Sequence, residues 1–265
     1  GIDQVVVNLH HLPDAIPEAL GDGASLGLSV EYVVEPGEIL GTGGGISNAR
    51  EHLDTGETFL VVNGDVLLEP DLGGALDLHR RTGAVATMVL REDPVAARYG
   101  AIDVDSSGRV RRLLATPDWP GEDLTPTMFT GLHLLEPAVF DLLPRSGCIV
   151  RSAYRSLVDS GAVVGGYVDR GPWVELGTVS DYLRANLALA SGELSLGHIE
   201  PPEGGIWIGH EARVQSRAQL TAPVIVGAEA EVRAPATRAV IWDRAVVDQA
   251  VSDAVVTPRG ICYAV

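Results

Sequence analysis

A six-residue period near the C-terminus constrains this chain most. Ile208, Val214, Leu220, Val226 and Val232 fall six apart, and so do Ala212, Ala218, Val224, Ala230 and Ala236. Two interleaved registers with one period match neither the 3.6-residue helix nor the two-residue strand. They match a parallel β-helix of three short strands per coil, with the aliphatic position filling the interior and the small residue four on fitting the corner. The strict register breaks after Val232, and Ile241 and Val247 resume it with a shift. A loop or imperfect coil is therefore expected at residues 235–238. About three coils fit, near the minimum for a stable stack.

Upstream the pattern differs. Apolar or alternating runs at residues 4–8, 29–35, 59–63, 84–91, 129–135 and 163–167 read as strands. Helical signals fall between them: 15–20, 43–53, 71–81 with Asp71 as N-cap, 150–158 and 179–190. Asp105-Ser-Ser-Gly108 between 102–104 and 110–113 is a hairpin signature. Residues 173–178 read as a short strand and turn. Residues 117–126 are polar and proline-rich, a loop, and 191–205 are rich in Gly, Pro and Glu, a linker. Alternating strands and helices predict a mostly parallel sheet with helices on both faces. The expected domains are 1–190, the linker 191–205, and the repeat tail 206–265.

With 265 residues, 46% of them hydrophobic, a sizeable core is expected. A net charge of −17 argues against nucleic-acid or acidic-membrane binding. No apolar run is long enough to span a bilayer. Cys148 and Cys262 show no metal-binding spacing, and a reduced, cytoplasmic chain is expected. His10, His11, His79 and His133 are scattered without ligand spacing and read as structural or solvated. All 19 basic residues are Arg.

Three segments carry candidate chemistry. Leu40-Gly-Thr-Gly-Gly-Gly45 lies between a strand and a helix, either as a plain tight loop or with backbone N–H groups aimed at a base or phosphate. It matches neither the P-loop nor the dinucleotide fingerprint. Asn63-Gly64-Asp65 closes an apolar strand on a carboxylate, and Trp173-Val-Glu-Leu-Gly-Thr178 offers a second, Glu175. Two carboxylates plus phosphate oxygens is a usual way to hold Mg²⁺. Tyr99-Gly100 precedes a strand, either as a bulge or as backbone open to a ligand hydroxyl. Thr130-Gly131 interrupts a strand, where close approach of a ligand would explain the glycine.

Together with VVVNLHH, EPGEILGTGGGI, FLVVNGD, YGAI, FTGLH and WVELGTVSDY, these segments resemble the sugar-1-phosphate nucleotidyltransferases. The resemblance covers nearly the whole chain, and the repeat tail recurs in one branch of that family. It implies an α/β fold: a Rossmann-like nucleotidyltransferase domain with a mixed, mostly parallel sheet, N-terminally truncated, followed by a short hexapeptide-repeat left-handed parallel β-helix. It implies transfer of a nucleotidyl group from a nucleoside triphosphate to a sugar 1-phosphate, with Mg²⁺ as cofactor. GTP with mannose 1-phosphate is favoured over the uridylyl and thymidylyl versions. By the same resemblance Asp65 and Glu175 are catalytic and metal-holding. Leu40, Gly41, Thr42, Gly43, Gly44, Asn63 and Gly64 bind nucleotide. Tyr99, Gly100, Thr130, Gly131 and Arg151 bind sugar. Glu175 stands where the family usually has Asp.

Two departures matter. The family's opening G-x-G-T-R loop, which cradles the triphosphate, is not in this sequence, so a poorly active chain is expected. The family Lys that holds the sugar phosphate is also missing, and Arg151 or Arg155 is its expected substitute. A homo-oligomer through the tail is expected. The alternative is a non-catalytic nucleotide-sugar-binding subunit with a regulatory or assembly role. An acyltransferase in the tail is disfavoured, because its one histidine, His210, has no evident partner.

Overall fold

A computed structural model describes residues 2–94, 100–114, 116, 123–215 and 218–264. In chain order the elements are β1 Gln4–Leu9, α1 Ala15–Leu20, β2 Ser29–Val34, α2 Gly41–Asn48, α3 Arg50–Leu53, β3 Phe59–Val62, β4 Val66–Leu68, α4 Leu72–Thr82 and β5 Ala86–Arg91. There follow β6 Ile102–Val104, β7 Val110–Leu113, β8 Thr125–Leu135, a π-helical turn Val150–Tyr154 running into α5 Arg155–Asp159, β9 Val164–Val168, β10 Trp173–Glu175 and α6 Val179–Ser191. The tail contributes β11 Ile206–Ile208, β12 Arg213–Val214, β13 Leu220–Val226, β14 Glu231–Val232, β15 Ala236–Ile241, β16 Val246–Val247, β17 Val251–Thr257 and β18 Gly260–Tyr263. The chain divides into two compact units, Gly1–Val62 with Asp71–Asp169, and Asn63–Pro70 with Arg170–Val265.

The first unit is built on β8. This long strand runs antiparallel to β5 along one edge and to β6 and β3 along the other. With β7 and β9 it completes a six-stranded sheet in the order β7-β6-β8-β5-β9, β3 also lying on β8. Only the β5–β9 pairing in this sheet is parallel, and β1 and β2 form a separate parallel pair. The sheet is mixed, as expected, but its pairings are mostly antiparallel, not mostly parallel. The reason is topological. β3 and β5 run the same way, as two strands joined through a helix should, but β8 inserts between them and makes each contact antiparallel.

The core of this unit is continuous, with Met88, Leu90, Leu135, Val139, Ile149 and Tyr154 all buried. The Asp105–Gly108 hairpin turn closes as its sequence predicts. Asp105 accepts from Ser107 N at 2.9 Å, Arg109 N at 3.0 Å and Arg111 Nε at 2.5 Å. Burial alone would raise this carboxyl, but those donors hold it down at about 2. α4 is capped by Asp71, which accepts from Gly74 N at 2.9 Å. His79 bridges Thr87 and Glu136, at 2.8 Å each. This is the structural role expected for a buried histidine.

The second unit contains the antiparallel pair β4–β10, helix α6 and a stack of tail strands. β11, β13, β15 and β17 pair in parallel in one sheet, and β12, β14 and β16 in another. Alternation along β13 explains the layering. Val224 and Val226 are fully buried inside the stack, while Ile225 between them faces Leu183 and Leu187 of α6. The coil length changes where the sequence register breaks. Ile208 pairs with Val226, eighteen residues on, but Val226 pairs with Ile241, fifteen on. Of the loop or imperfect coil expected at 235–238, the imperfect coil is found: β15 begins at Ala236 within that span. The three-residue deletion is absorbed by a shorter coil and by a register shift between Thr221 and Val224.

His133 gives the first unit a measurable acid sensitivity. It is 1% exposed and its Nδ1 meets the Tyr154 hydroxyl. Burial lowers its pKa to about 3. A base depressed in the folded state is protonated first in the unfolded chain. Its contribution is therefore complete above about pH 6.5 and is lost as pH falls toward the folded value. Urea unfolding from pH 7 to 4 should show a loss approaching about 1.4 kcal/mol per pH unit from this group. His133→Phe should shallow that slope, whatever its stability at pH 7. An unchanged slope would refute the assignment.

Candidate active site

Asp65 and Glu175 are brought together by backbone pairing within the second unit. β3 ends at Val62, so Asp65 does not close a strand as expected. It sits with Gly64 in the turn that opens β4. β10 then pairs with β4, Glu175 opposite Val66. One step further, the Leu176 N–H donates to the Asp65 carbonyl at 2.7 Å. Asp65 is exposed, Glu175 half-buried and Asn63 half-buried. The Glu175 side chain folds alongside Gly177, where an added Cβ would lie 3.8 Å from its Cγ. Thr178, the N-cap of α6, accepts from Asp181 N at 3.1 Å. Glu175 is therefore held between a ladder and a capped helix.

No group of three or more His, Cys, Asp or Glu residues able to hold a metal occurs among the described residues. Two carboxylates, one exposed and both on adjoining backbone, suit a cation that takes its remaining ligands from phosphate and water.

The glycine segment belongs to the first unit, and its arrangement differs from a loop. Leu40 is the N-cap and α2 begins at Gly41, so Gly43, Gly44 and Gly45 lie inside the helix and are buried. Gly43 and Gly44 are glycine because residues 144–147 cross them, and Gly45 because the Asn8 and Glu35 side chains press on it. An added Cβ would lie 2.8 Å from the Pro144 ring at Gly43, and 2.7 Å from the Arg145 carbonyl oxygen at Gly44. The Gly43 N–H donates to the Gly147 carbonyl at 2.8 Å, and the Leu40 carbonyl accepts from Gly147 N at 2.6 Å. Thr42 Oγ1 accepts from Ile149 N at 3.1 Å. Part of the backbone expected to face a ligand is thus bonded to residues 147–149. These contacts also bring α2 next to the π-helical turn that carries the exposed Arg151. Arg155 is committed elsewhere, to Asp159 at 2.8 Å and to the Thr116 hydroxyl.

Sequence reading missed Glu35. Its carboxylate is buried and accepts from Asn8 Nδ2 at 2.5 Å and from Leu40 N at 2.7 Å, with His10 Nδ1 at 3.7 Å. It ties the end of β1 to the start of α2. A single Glu before a Pro carries no periodic signal, and only the fold gives it partners.

Thr130-Gly131 forms a bulge. Met88 pairs with His133 and Leu90 with Phe129, so three residues of β8 oppose Val89 alone. The Thr130 hydroxyl donates to the Val89 carbonyl at 2.7 Å, and Gly131 takes φ 89°. The glycine is explained by this turn of the backbone, a device found beside active sites. Gly100 also has positive φ, and a Cβ there would lie 2.3 Å from the Leu114 side chain. Tyr99 lies outside the described residues.

Comparison with known proteins decides the family. A model described as nucleotidyl transferase matches residues 1–192. The chain belongs to the nucleotidyl transferase family. It is 33% identical over 249 residues to a mannose-1-phosphate guanylyltransferase of Mycobacterium tuberculosis, covering 92% of this chain and 68% of that protein. It is 27% identical to a UTP–glucose-1-phosphate uridylyltransferase of Synechocystis, covering 86% of this chain and 67% of that protein. Its fold is similar to the crystal structure of HddC from Yersinia pseudotuberculosis, with TM-score 0.55 and 22% identity over 70% of this chain and 78% of the other. Family members named in these comparisons are sugar-phosphate nucleotidyltransferases, that is, enzymes. No helix among the described residues is long and apolar enough to cross a membrane.

The packing of α2 is testable apart from any activity. Gly44→Ala should cost about 1–3 kcal/mol by urea unfolding, because backbone rather than a flexible side chain blocks the methyl. A neutral substitution would show that α2 does not rest on residues 144–147.

Proposed function

We propose that the protein transfers a nucleotidyl group from a nucleoside triphosphate to a sugar 1-phosphate, releasing pyrophosphate, with GTP and mannose 1-phosphate as the preferred pair. The observation that carries the reading is the β4–β10 ladder, which sets Asp65 beside Glu175 in a chain of this family. The guanylyltransferase relative at 33% identity supports the choice of base and sugar.

In such a transfer the sugar phosphate oxygen attacks the α-phosphorus in line while the α–β bridging bond breaks and pyrophosphate leaves. Catalysis rests on positioning and on offsetting negative charge. Asp65 and Glu175 would hold Mg²⁺, which when bound offsets the charge of both phosphate groups. The half-buried Glu175 fixes one carboxylate, and the exposed Asp65 leaves the other reachable by substrate. Arg151, exposed beside α2, takes the sugar phosphate in place of the lysine this sequence lacks. Leu40 to Gly44 with Asn63 and Gly64 contact the nucleotide, and Gly100 with the Thr130-Gly131 bulge walls the sugar. The tail is a left-handed β-helix through which copies of the chain associate, and the protein works in the cytoplasm.

A second reading keeps the binding and drops the chemistry. Glu175 in place of the family's Asp, and the Gly43 N–H already bonded to Gly147, favour a nucleotide-sugar-binding regulatory subunit.

The deciding experiment incubates the protein with Mg²⁺ and three pairs: GTP with mannose 1-phosphate, UTP with glucose 1-phosphate, and dTTP with glucose 1-phosphate. Nucleotide-sugar is followed by mass spectrometry. The GTP pair should give product fastest, by about 10-fold or more. Asp65→Asn should lower kcat/KM on the order of 100-fold, and Glu175→Asp should retain more activity than Glu175→Gln. Nucleotide-sugar binding with no product from any pair would overturn the catalytic reading in favour of the second.

A further inference from the structure

A groove of about 700 Å³ lies within the second unit, where α6 packs on the tail strands. Tyr182 and Asn186 of α6 form one wall, and Ile225, Trp242, Asp243 and Arg244 of the stack form the other. None of these residues has a role in the site described above. Trp242 is 47% exposed, a large apolar ring left in water. It pairs with Tyr182 in a T-shaped arrangement, with ring centroids 6.3 Å apart and planes at 68°, and both rings line the groove. Arg244 is exposed and pairs with no carboxylate among the described residues. Its planar donor fork matches phosphate.

The corner that presents these groups is fixed in place. Asp243 Oδ1 accepts from Ala228 N at 2.7 Å, and the Arg244 N–H donates to the Ala228 carbonyl at 2.8 Å. Gly227 beneath it has no room for a Cβ, which would lie 2.5 Å from Asp243 N. Such a corner fixes the backbone from which these side chains project. Asn186 Nδ2 donates to Tyr182 O at 2.8 Å, and Asn186 lines the groove.

We propose that this groove binds a small ring compound carrying a single phosphate, either a sugar phosphate or a nucleoside monophosphate. The ring lies on Trp242, its hydroxyls reach Asn186 and the remaining Asp243 oxygen, and the phosphate sits on Arg244. One arginine beside one aspartate suits one phosphate; a triphosphate would meet Asp243 without a second cation.

The test is calorimetric titration of the whole chain with glucose 6-phosphate and, separately, with AMP. Unphosphorylated glucose and inorganic phosphate are the controls. At least one phosphorylated probe should bind saturably, and which one does so identifies the source. Arg244→Gln and Trp242→Ala should each weaken that binding by about 10-fold or more. Trp242→Phe, which keeps a ring, should hold it within about 3-fold, and Asp65→Asn should leave it unchanged because that carboxylate belongs to the other site. Saturation unaffected by Arg244→Gln would overturn the proposal, as would binding lost in Asp65→Asn. So would the failure of both probes at about 10 mM, including the case where sedimentation shows Trp242 buried between two copies of the chain.

Discussion

Three residues of β4 meet three of β10, and on that short antiparallel ladder the candidate chemistry depends. Its partners are more than a hundred residues apart in the chain. A ladder so short does not stand alone, and the structure props it on both sides. Glu69, just past β4, has its N–H bonded to the Pro172 carbonyl at 3.1 Å, while its carboxylate accepts from Gly197 N at 2.9 Å. Beyond β10 the chain turns at once into α6 under a Thr178 cap. Ordering a three-residue ladder between distant segments costs conformational entropy. These flanking bonds offset that cost.

The glycine segment shows how one residue pattern can answer two demands. Its sequence announces close approach of something to the backbone, and that much was legible. What approaches is residues 144–147, a hundred positions away, whose carbonyl and ring would collide with any Cβ at Gly43 or Gly44. Glycine therefore signals contact without naming the partner. The same holds at Thr130-Gly131, where a bulge closed by Thr130 on Val89 accounts for the glycine. Neither finding removes these residues from the candidate site. Each supplies a structural reason for the glycine that exists before any ligand arrives.

Strand positions were read well because burial writes a period into the sequence: FLVV, VVVNL and the hairpin at Asp105 all lie within a residue or two of their predicted places. Pairing partners were not read, because no period records them. β8 was visible as a strand, but its insertion between β3 and β5 depends on contacts distant in sequence, and with the β6–β7 hairpin it makes the sheet mostly antiparallel. Glu35 was invisible for the same reason. Its partners Asn8 and Leu40 come from two other elements.

The tail presents the converse case, where a break in periodicity carried the information. A coil eighteen residues long followed by two of fifteen keeps Val226 over Ile241 and Val232 over Val247. The stack thus preserves its buried aliphatic column and lets the corners absorb the deletion. Inward positions tolerate no slip, since a one-residue shift would turn Val224 and Val226 outward and Ile225 inward. Outward positions are constrained only where something packs on them. Ile225, Val240 and Val255 are covered by Leu183 and Leu187 of α6, while Trp242, next in line, is only edge-packed by Tyr182. An aliphatic column explains every inward residue of the stack. It does not explain Trp242, 47% exposed, next to Arg244, which pairs with no carboxylate among the described residues.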